Sequence, residues 1–518
     1  MIYLALIFHM HQPYYKNLLT QETPVPWVRL HGTKDYLDMV RILDNYPGIR
    51  QTFNLVPSLL EQLEDYVAGT IKDKFLELSY KPAKDLTTED KSFILERFFS
   101  IHKETVIAFH PRYYELFFKK QNKKEFSTQD YLDLQVWFNL SWIDPSFRDE
   151  RPQLKRLVDK ARFFTEEEKL SCLEAQKEIL GQIIPAYKQA KERGQIEITV
   201  NPYYHPILPL LYSTNTAREA NPKSVLPKTA FSYPEDAQSQ IDSAVEFYKE
   251  RFGTLPEGMW PSEEAVSEHI LPFIINAGIQ WIVTDEGVLF KSLKKKKRDT
   301  KLLYQPHLLR REGGNLHVVF RDRNLSDLIG FVYYNLKAED AVSNFIGHFE
   351  NINKAFKGQD VLVTLAMDGE NAWEYYYNDG HNFLELLYKR LCESEIIKTV
   401  TVSDYIKRKP ATRALKHLAA GSWIYSEFSK WINNTYKNKA WEYLSKARLE
   451  LKLNADKLDE RAKQLAYKQI YICEGSDWFW WYGDREKDFD YLFRMHLSNF
   501  YTIIGKPTPE YLKTPLEP

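Results

Sequence analysis

The sequence predicts an α/β protein: a parallel sheet, open or closed into a barrel, with a long helical insertion and an all-helical C-terminal unit. Three observations predict it. Short β-rich runs recur between long helical stretches. Most of these runs are continuously apolar rather than alternating, as strands buried on both faces are. Two long intervals carry helical spacing and no strand. At 518 residues the chain is too long for one ordinary core, so more than one packed unit is expected.

The runs, in order, are Ile2–Phe8, Thr52–Val56, Ile196–Val200, a brief one at Gly258–Trp260, Ile279–Thr284, Leu316–Arg321, Val361–Met367 and Thr399–Val402. Alternation of strand and helix implies parallel pairing, and about seven or eight strands favour closure. From about 58 to 193 the pattern is helical; SCLEAQKEILGQIIPAYKQAKERG ends on Gly194, a natural C-terminal glycine. The last hundred or so residues are again helical in pattern. The stretch KRKPAT around Pro410 is the best boundary.

A net charge of -1 excludes a global field for nucleic acid or anionic membrane, and the run from Lys294 to Arg298 reads as a solvated loop. Cys172, Cys392 and Cys473 are odd in number and far apart, giving neither metal spacing nor a disulfide framework. MIYLALIF is too short for a signal peptide, and no run of about twenty apolar residues exists to span a membrane. A cytoplasmic location is expected. With 33 Tyr, 30 Phe and 12 Trp, the chain has many flat faces of the kind that stack on sugar rings.

In parallel α/β sheets and barrels, reactive groups follow the C-terminal ends of strands. After the first strand come His9 and His11, whose HxH spacing also suits a metal; two hydrogen-bonded histidines in a polar rim is the plain alternative. His205 follows the third run, and alone reads as structural. Trp260, Glu263 and Glu264 follow the brief run. Adjacent residues of an extended chain face opposite ways, so one of these two glutamates must lie outside the site. Asp368 closes a buried strand, where desolvation raises a carboxyl pKa and suits it to hold a proton; it can equally cap a helix. Arg321 and Asp285 each read as a site group or as part of a structural ion pair. Glycoside cleavage requires two carboxylates, from different strands here.

Together these segments resemble glycoside hydrolase family 57, the second α-amylase family. HMHQP at 9–13, NPYYHPILPLL from Asn201, GMWPSEEAVS from Gly258, AMDGENAWEYY from Ala366 and TVSDYI at 401–406 resemble its signatures, in order. LDLQVWFNLSWIDP, VVFRDRNLSDLIGF, GSWIYSEFSKWI and EGSDWFWWYGD resemble its amylopullulanase-like and α-amylase-like branch. The similarity spans essentially the whole chain.

The resemblance implies an incomplete (β/α)7 barrel over 1–405 with a helical insertion at about 58–193, then an all-α C-terminal domain over 406–518 that helps form the cleft. It implies a retaining mechanism with Glu263 as nucleophile and Asp368 as acid/base, and no role for Glu264. His9, His11, His205, Trp260 and Trp373 match cleft-lining positions; Trp423 and Trp478 are the C-terminal contributions. Ala372 stands where the amylopullulanase-like pattern often has Pro, which bears on loop shape alone. The expected substrate is an α-1,4-glucan, with α-1,6 links admitted. No catalytic metal or cofactor is implied, and calcium is allowed as a stabilising ion. The alternatives are 4-α-glucanotransferase or branching activity, a non-catalytic glucan-binding protein, and a zinc-dependent hydrolase. Abundant Lys and Glu in charged helices suit a thermophile. Oligomeric state is left open.

Overall fold

The computed structural model describes residues 1–370 and 372–517. Seven strands form the sheet: β1 Ile2–Met10, β2 Gln51–Leu55, β3 Ile196–Thr199, β4 Gly258–Met259, β5 Trp281–Asp285, β6 Gly314–Arg321 and β7 Val361–Asp368. Their spatial order is β3-β2-β1-β7-β6-β5-β4, with parallel pairing throughout. The ring nearly closes between β3 and β4: Val200 N donates to Gly258 O at 3.1 Å and Trp260 N to Val200 O at 2.9 Å. The β6–β7 seam is also thin, pairing Thr364 with Arg321. The strand expected at Thr399–Val402 lies earlier, at Ile397–Thr399, because Val402 already begins a helix; it fills a splay beside the start of β1, against Ile2–Leu4. An antiparallel strand unexpected from the sequence, His307–Arg311, folds onto β6 as a hairpin.

Strand periodicity sorts the core. Tyr3, Ala5 and Ile7 of β1 meet Trp281, Val283, Val319, Leu362 and Ala366 in the barrel interior. Ile2, Leu4, Leu6 and Phe8 pack outward against the helices. Successive side chains alternate, so each inward row continues to a polar residue at the strand's C-terminal end. On β1 that residue is His9, on β5 Asp285, on β6 Arg321 and on β7 Asp368. His9 and Asp368 are register partners. The opposite end is plugged by Tyr405 and Ile406, with Tyr405 edge-on to Tyr3 at 5.2 Å.

The insertion is helical as expected. Its last helix, Glu166–Glu192, starts at a Thr165–Glu168 capping box and stops before Gly194 at φ 69°. The boundary expected at residue 406 falls within helix Val402–Arg408, which belongs to the barrel plug. After it, residues 409–434 form no helix. They run back over the barrel as a strap, bridging at Leu308–Ala414 and Val266–Gly421. Four helices follow: Thr435–Asn454, Glu460–Cys473, Ser476–Trp481 and Lys487–Ile503. Ser476 N donates to His205 O at 2.9 Å, pinning the third of these to the exit of β3. Gly475 makes that approach possible, since a Cβ there would lie 2.9 Å from Tyr204 O. Among the described residues no helix is long and apolar enough to cross a membrane.

Candidate active site

The inward rows deliver a histidine cluster to the barrel mouth. His9 is buried, stacks on Trp260 at 5.0 Å and donates from Nδ1 to Asn54 Oδ1 at 2.6 Å. His11 and His205 stack face to face at 3.9 Å. His11 Nε2 donates to the Asp477 carboxylate at 2.9 and 3.1 Å, and His205 Nδ1 lies 2.8 Å from Ser476 Oγ. Burial, then the neighbouring His11, pushes His9 down to about 3 and His205 well below the usual imidazole range. Both are therefore neutral donors and acceptors at physiological pH, not charges. His11, His205 and Asp477 converge closely enough to share a metal ion; His11 Nε2 is paired with Asp477 and His205 Nδ1 with Ser476, while His11 Nδ1 and His205 Nε2 are buried without a hydrogen-bond partner.

Glu263 and Glu264 do not lie on extended chain, as the alternation argument assumed. They form a tight turn in which both occupy the left-handed region, at φ 58° and 52°. Such a conformation costs about 1–3 kcal/mol per residue for a side chain of this size and must be held from outside. The hold is visible. Trp423 N donates to Glu263 O at 3.1 Å, Glu264 N to Pro261 O at 2.7 Å and Thr284 Oγ1 to Glu264 O at 2.7 Å. Ser262 Oγ donates to Asn201 Oδ1 at 2.9 Å. The turn separates the two carboxyls. Glu263 Oε2 accepts from Trp423 Nε1 at 2.7 Å, and Oε1 lies 3.9 Å from His205 Nδ1. Glu264 is fully enclosed, with neither oxygen hydrogen-bonded. Burial drives Glu264 well above the carboxylate range against the opposing charge of Arg321, so it is a neutral acid.

Burial also pushes Glu263 up to about 8; the Trp423 N–H opposes the shift, and the charges of Asp368 and Asp477 add to it. The two carboxyls at the mouth thus sense each other. Asp368 lines a cavity of about 440 Å³ with Arg321, Ser326, Phe331, Tyr334 and Trp423. Phe331 is 69% exposed, an apolar face at the rim. The backbone after Asp368 is fixed by Gly369 N donating to His9 O at 2.8 Å. A Cβ on Gly369 would come within 2.3 Å of Met10 Sδ, so a larger residue there would have to displace that side chain.

The remaining sequence candidates divide. Trp423 is in the cavity wall. Trp260 is buried beneath His9 and meets Trp423 edge-on at 5.5 Å, forming the floor. Arg321 lines the cavity, with its guanidinium 5.4 Å from the Trp423 ring and Nε donating to Ala366 O at 2.7 Å. Asp285 is fully buried, caps helix Glu286–Ser292 through Gly287 N at 2.7 Å and pairs with Arg323, so it braces the site from beneath. Trp373 is buried, its N–H held by Gly369 O at 2.8 Å, and supports the loop after β7. Trp478 sits in the C-terminal core, donating to Ile472 O at 2.7 Å and packing on His496. Its neighbour Asp477 is the residue that reaches the cleft. Sequence reasoning passed over Asp477, Ser476, Asn54 and Tyr334. The motif EGSDWFWWYGD held the signal for the first two, since on one helical turn Asp477 and Trp478 must face different ways.

Replacing Trp423 with Phe removes the donor that favours ionised Glu263. The acid limb of kcat/KM is expected to move to higher pH by about one unit. A pH–rate profile checks this, and an unmoved limb with an unchanged KM would remove Trp423 from control of Glu263.

A parallel barrel that sets Asp368 in a cavity walled by Trp423, with Glu263 bonded to that tryptophan, has the parts a glycoside hydrolase uses. The chain belongs to glycosyl hydrolase family 57, whose family model matches residues 5–418. Alpha-amylase 1 of Dictyoglomus thermophilum is 26% identical over 249 residues, 46% of this chain and 30% of that protein. The 4-alpha-glucanotransferase of Thermococcus litoralis is 26% identical over 247 residues, 46% of this chain and 31% of that protein. The matches thus span under a third of the length of these curated relatives. Among solved structures, the GH57 branching enzyme of Thermococcus kodakaraensis has a TM-score of 0.63 at 15% identity, covering 97% of this chain and 90% of that one. The alpha-amylase AmyC of Thermotoga maritima gives 0.61 at 14% identity, covering 97% and 93%. At these identities the likeness is one of fold.

Proposed function

We propose that this protein cleaves α-1,4-glucosidic bonds in starch-like glucans with retention of configuration, through an ester between the sugar and Glu263. The observation that carries the reading is the strained Glu263 turn, held by Trp423, which also lines the cavity of Asp368, the residue that closes the inward row of β7. Asp368 gives its proton to the glycosidic oxygen as Glu263 attacks the anomeric carbon and the bond to the leaving sugar breaks. Deprotonated Asp368 then takes a proton from the incoming hydroxyl, which displaces Glu263 and restores both groups. In the empty cleft burial favours a proton on Glu263, so the working form requires that proton on Asp368 instead. The Trp423 N–H, directed at Glu263, favours the exchange.

Water and a sugar hydroxyl compete for the ester. Relatives named as amylase, branching enzyme and glucanotransferase support both fates. Hydrolysis is the reading adopted, and incubation with maltoheptaose tests it: only shorter products are expected, and longer ones would assign transfer. Pullulan tests α-1,6 cleavage, the amylopullulanase-type activity. Three free cysteines, two of them buried, suit work in a reducing cytoplasm. The charged helices and the thermophilic relatives suit activity at high temperature.

A further inference from the structure

A second convergence of ligand-type side chains lies outside the residues assigned above. Asp38 belongs to helix Leu37–Arg41, Asp144 caps helix Pro145–Glu150 in the insertion, and His381 opens helix His381–Cys392 after the loop that leaves β7. Their donor atoms all lie within 4.8 Å of one another. His381 Nε2 is 2.8 Å from Asp144 Oδ2. Asp144 Oδ1 accepts from Ser146 N at 2.9 Å, which leaves Oδ2 aimed at the cluster. Asp38 is 5% exposed, and its Oδ1 is buried with no partner.

Charge balance shows what the cluster lacks. Four carboxylates gather here: Asp35, Asp38, Asp144 and Asp379. Lys34 pairs with Asp35 at 3.0 Å and also with Asp379, and Arg148 faces Asp144 and Asp379. Two fixed cations thus face four carboxyls. His31 is hydrogen-bonded to Asp35, His110 lies against Arg148 and Glu374 faces Lys34. A dication seated against the unpartnered Asp38 Oδ1 would supply the missing positive charge.

We propose that Asp38, Asp144 and His381 bind a single divalent transition-metal ion of the zinc type, clamping the loop that leaves β7 to the helical insertion. Zinc bonds of about 2.0–2.2 Å place donors roughly 3.4 Å apart, within reach of small side-chain adjustments here. An imidazole with two carboxylates selects zinc over calcium, which takes six to eight oxygens. The ion ties together segments 106 and 237 residues apart in sequence (Asp38 to Asp144, Asp144 to His381).

The test uses the full chain after chelation and dialysis. Calorimetric titration with zinc sulfate near pH 7 should show one site per chain. The Tm should rise by a few degrees with zinc and stay fixed with calcium. Asp38→Asn and His381→Gln should each abolish the zinc-dependent rise. A wild-type chain that neither binds micromolar zinc nor gains Tm overturns the proposal, whether or not the variants fold. So does binding that survives both substitutions and is lost in His11→Gln, which would place the ion in the cleft.

Discussion

Glu263→Gln is expected to lower turnover of maltoheptaose by about 10⁴-fold or more while leaving the fold intact, because the amide cannot form the glycosyl ester. Its stability should change with pH in a direction the burial of Glu263 dictates. The folded carboxyl titrates near 8, far above its ordinary value of 4.5. Below the ordinary value it is neutral in both folded and unfolded chains, and the variant should match the wild type. Between the two values the folded state binds the extra proton, so the wild type loses stability as pH rises. Above 8 it carries the full cost of enclosing a charge, on the order of 2–5 kcal/mol. The variant should therefore melt higher than the wild type at pH 9 and equally at pH 4. Thermal scans at both values decide. Near-normal turnover in the variant would eliminate Glu263 as nucleophile.

Asp368→Asn is expected to cost about 10²–10⁴-fold on maltooligosaccharides, the range of a lost general acid. The loss should depend on the leaving group. An aryl glucoside with a good leaving group needs no proton to form the ester, so that step should be nearly preserved. Azide, a nucleophile that needs no general base, should then restore turnover by intercepting the ester. Equal losses on both substrate types, with no effect of azide, would exclude proton transfer by Asp368. The structure adds a reason to read these two variants together: each carboxyl sits in the other's field, so removing Asp368 should also lower the pH at which Glu263 ionises.

Much of the site was legible because strands have period two. A continuous apolar run must bury both faces, and the polar residue that continues its inward row must emerge at the mouth. His9 and Asp368 follow from that rule alone. The separation of Glu263 from Glu264 was also legible, although its cause is a doubly left-handed turn and not alternation. No local pattern announces that turn, because three other segments impose it: Trp423, Thr284 and Asn201 each hold part of it. The strap at 409–434 was read as helical territory for the same reason. Its conformation is set by bridges to Val266 and Leu308, more than a hundred residues away. Trp478 drew notice as an aromatic residue near the end of a motif. On a short helix the apolar ring turns to the core while the adjacent carboxylate meets His11.

The strap and the short helix behind it also bear on a chain that is not yet complete. A nascent chain that has emerged from the ribosome only as far as residue 410 holds every barrel strand and both carboxyls, yet lacks Trp423, Ser476 and Asp477. The Glu263 turn then lacks both of its bonds from Trp423, and His11 and His205 lack their partners Asp477 and Ser476. On the proposed mechanism, a barrel without its C-terminal segment would hold both carboxyls and still lack the groups that position them.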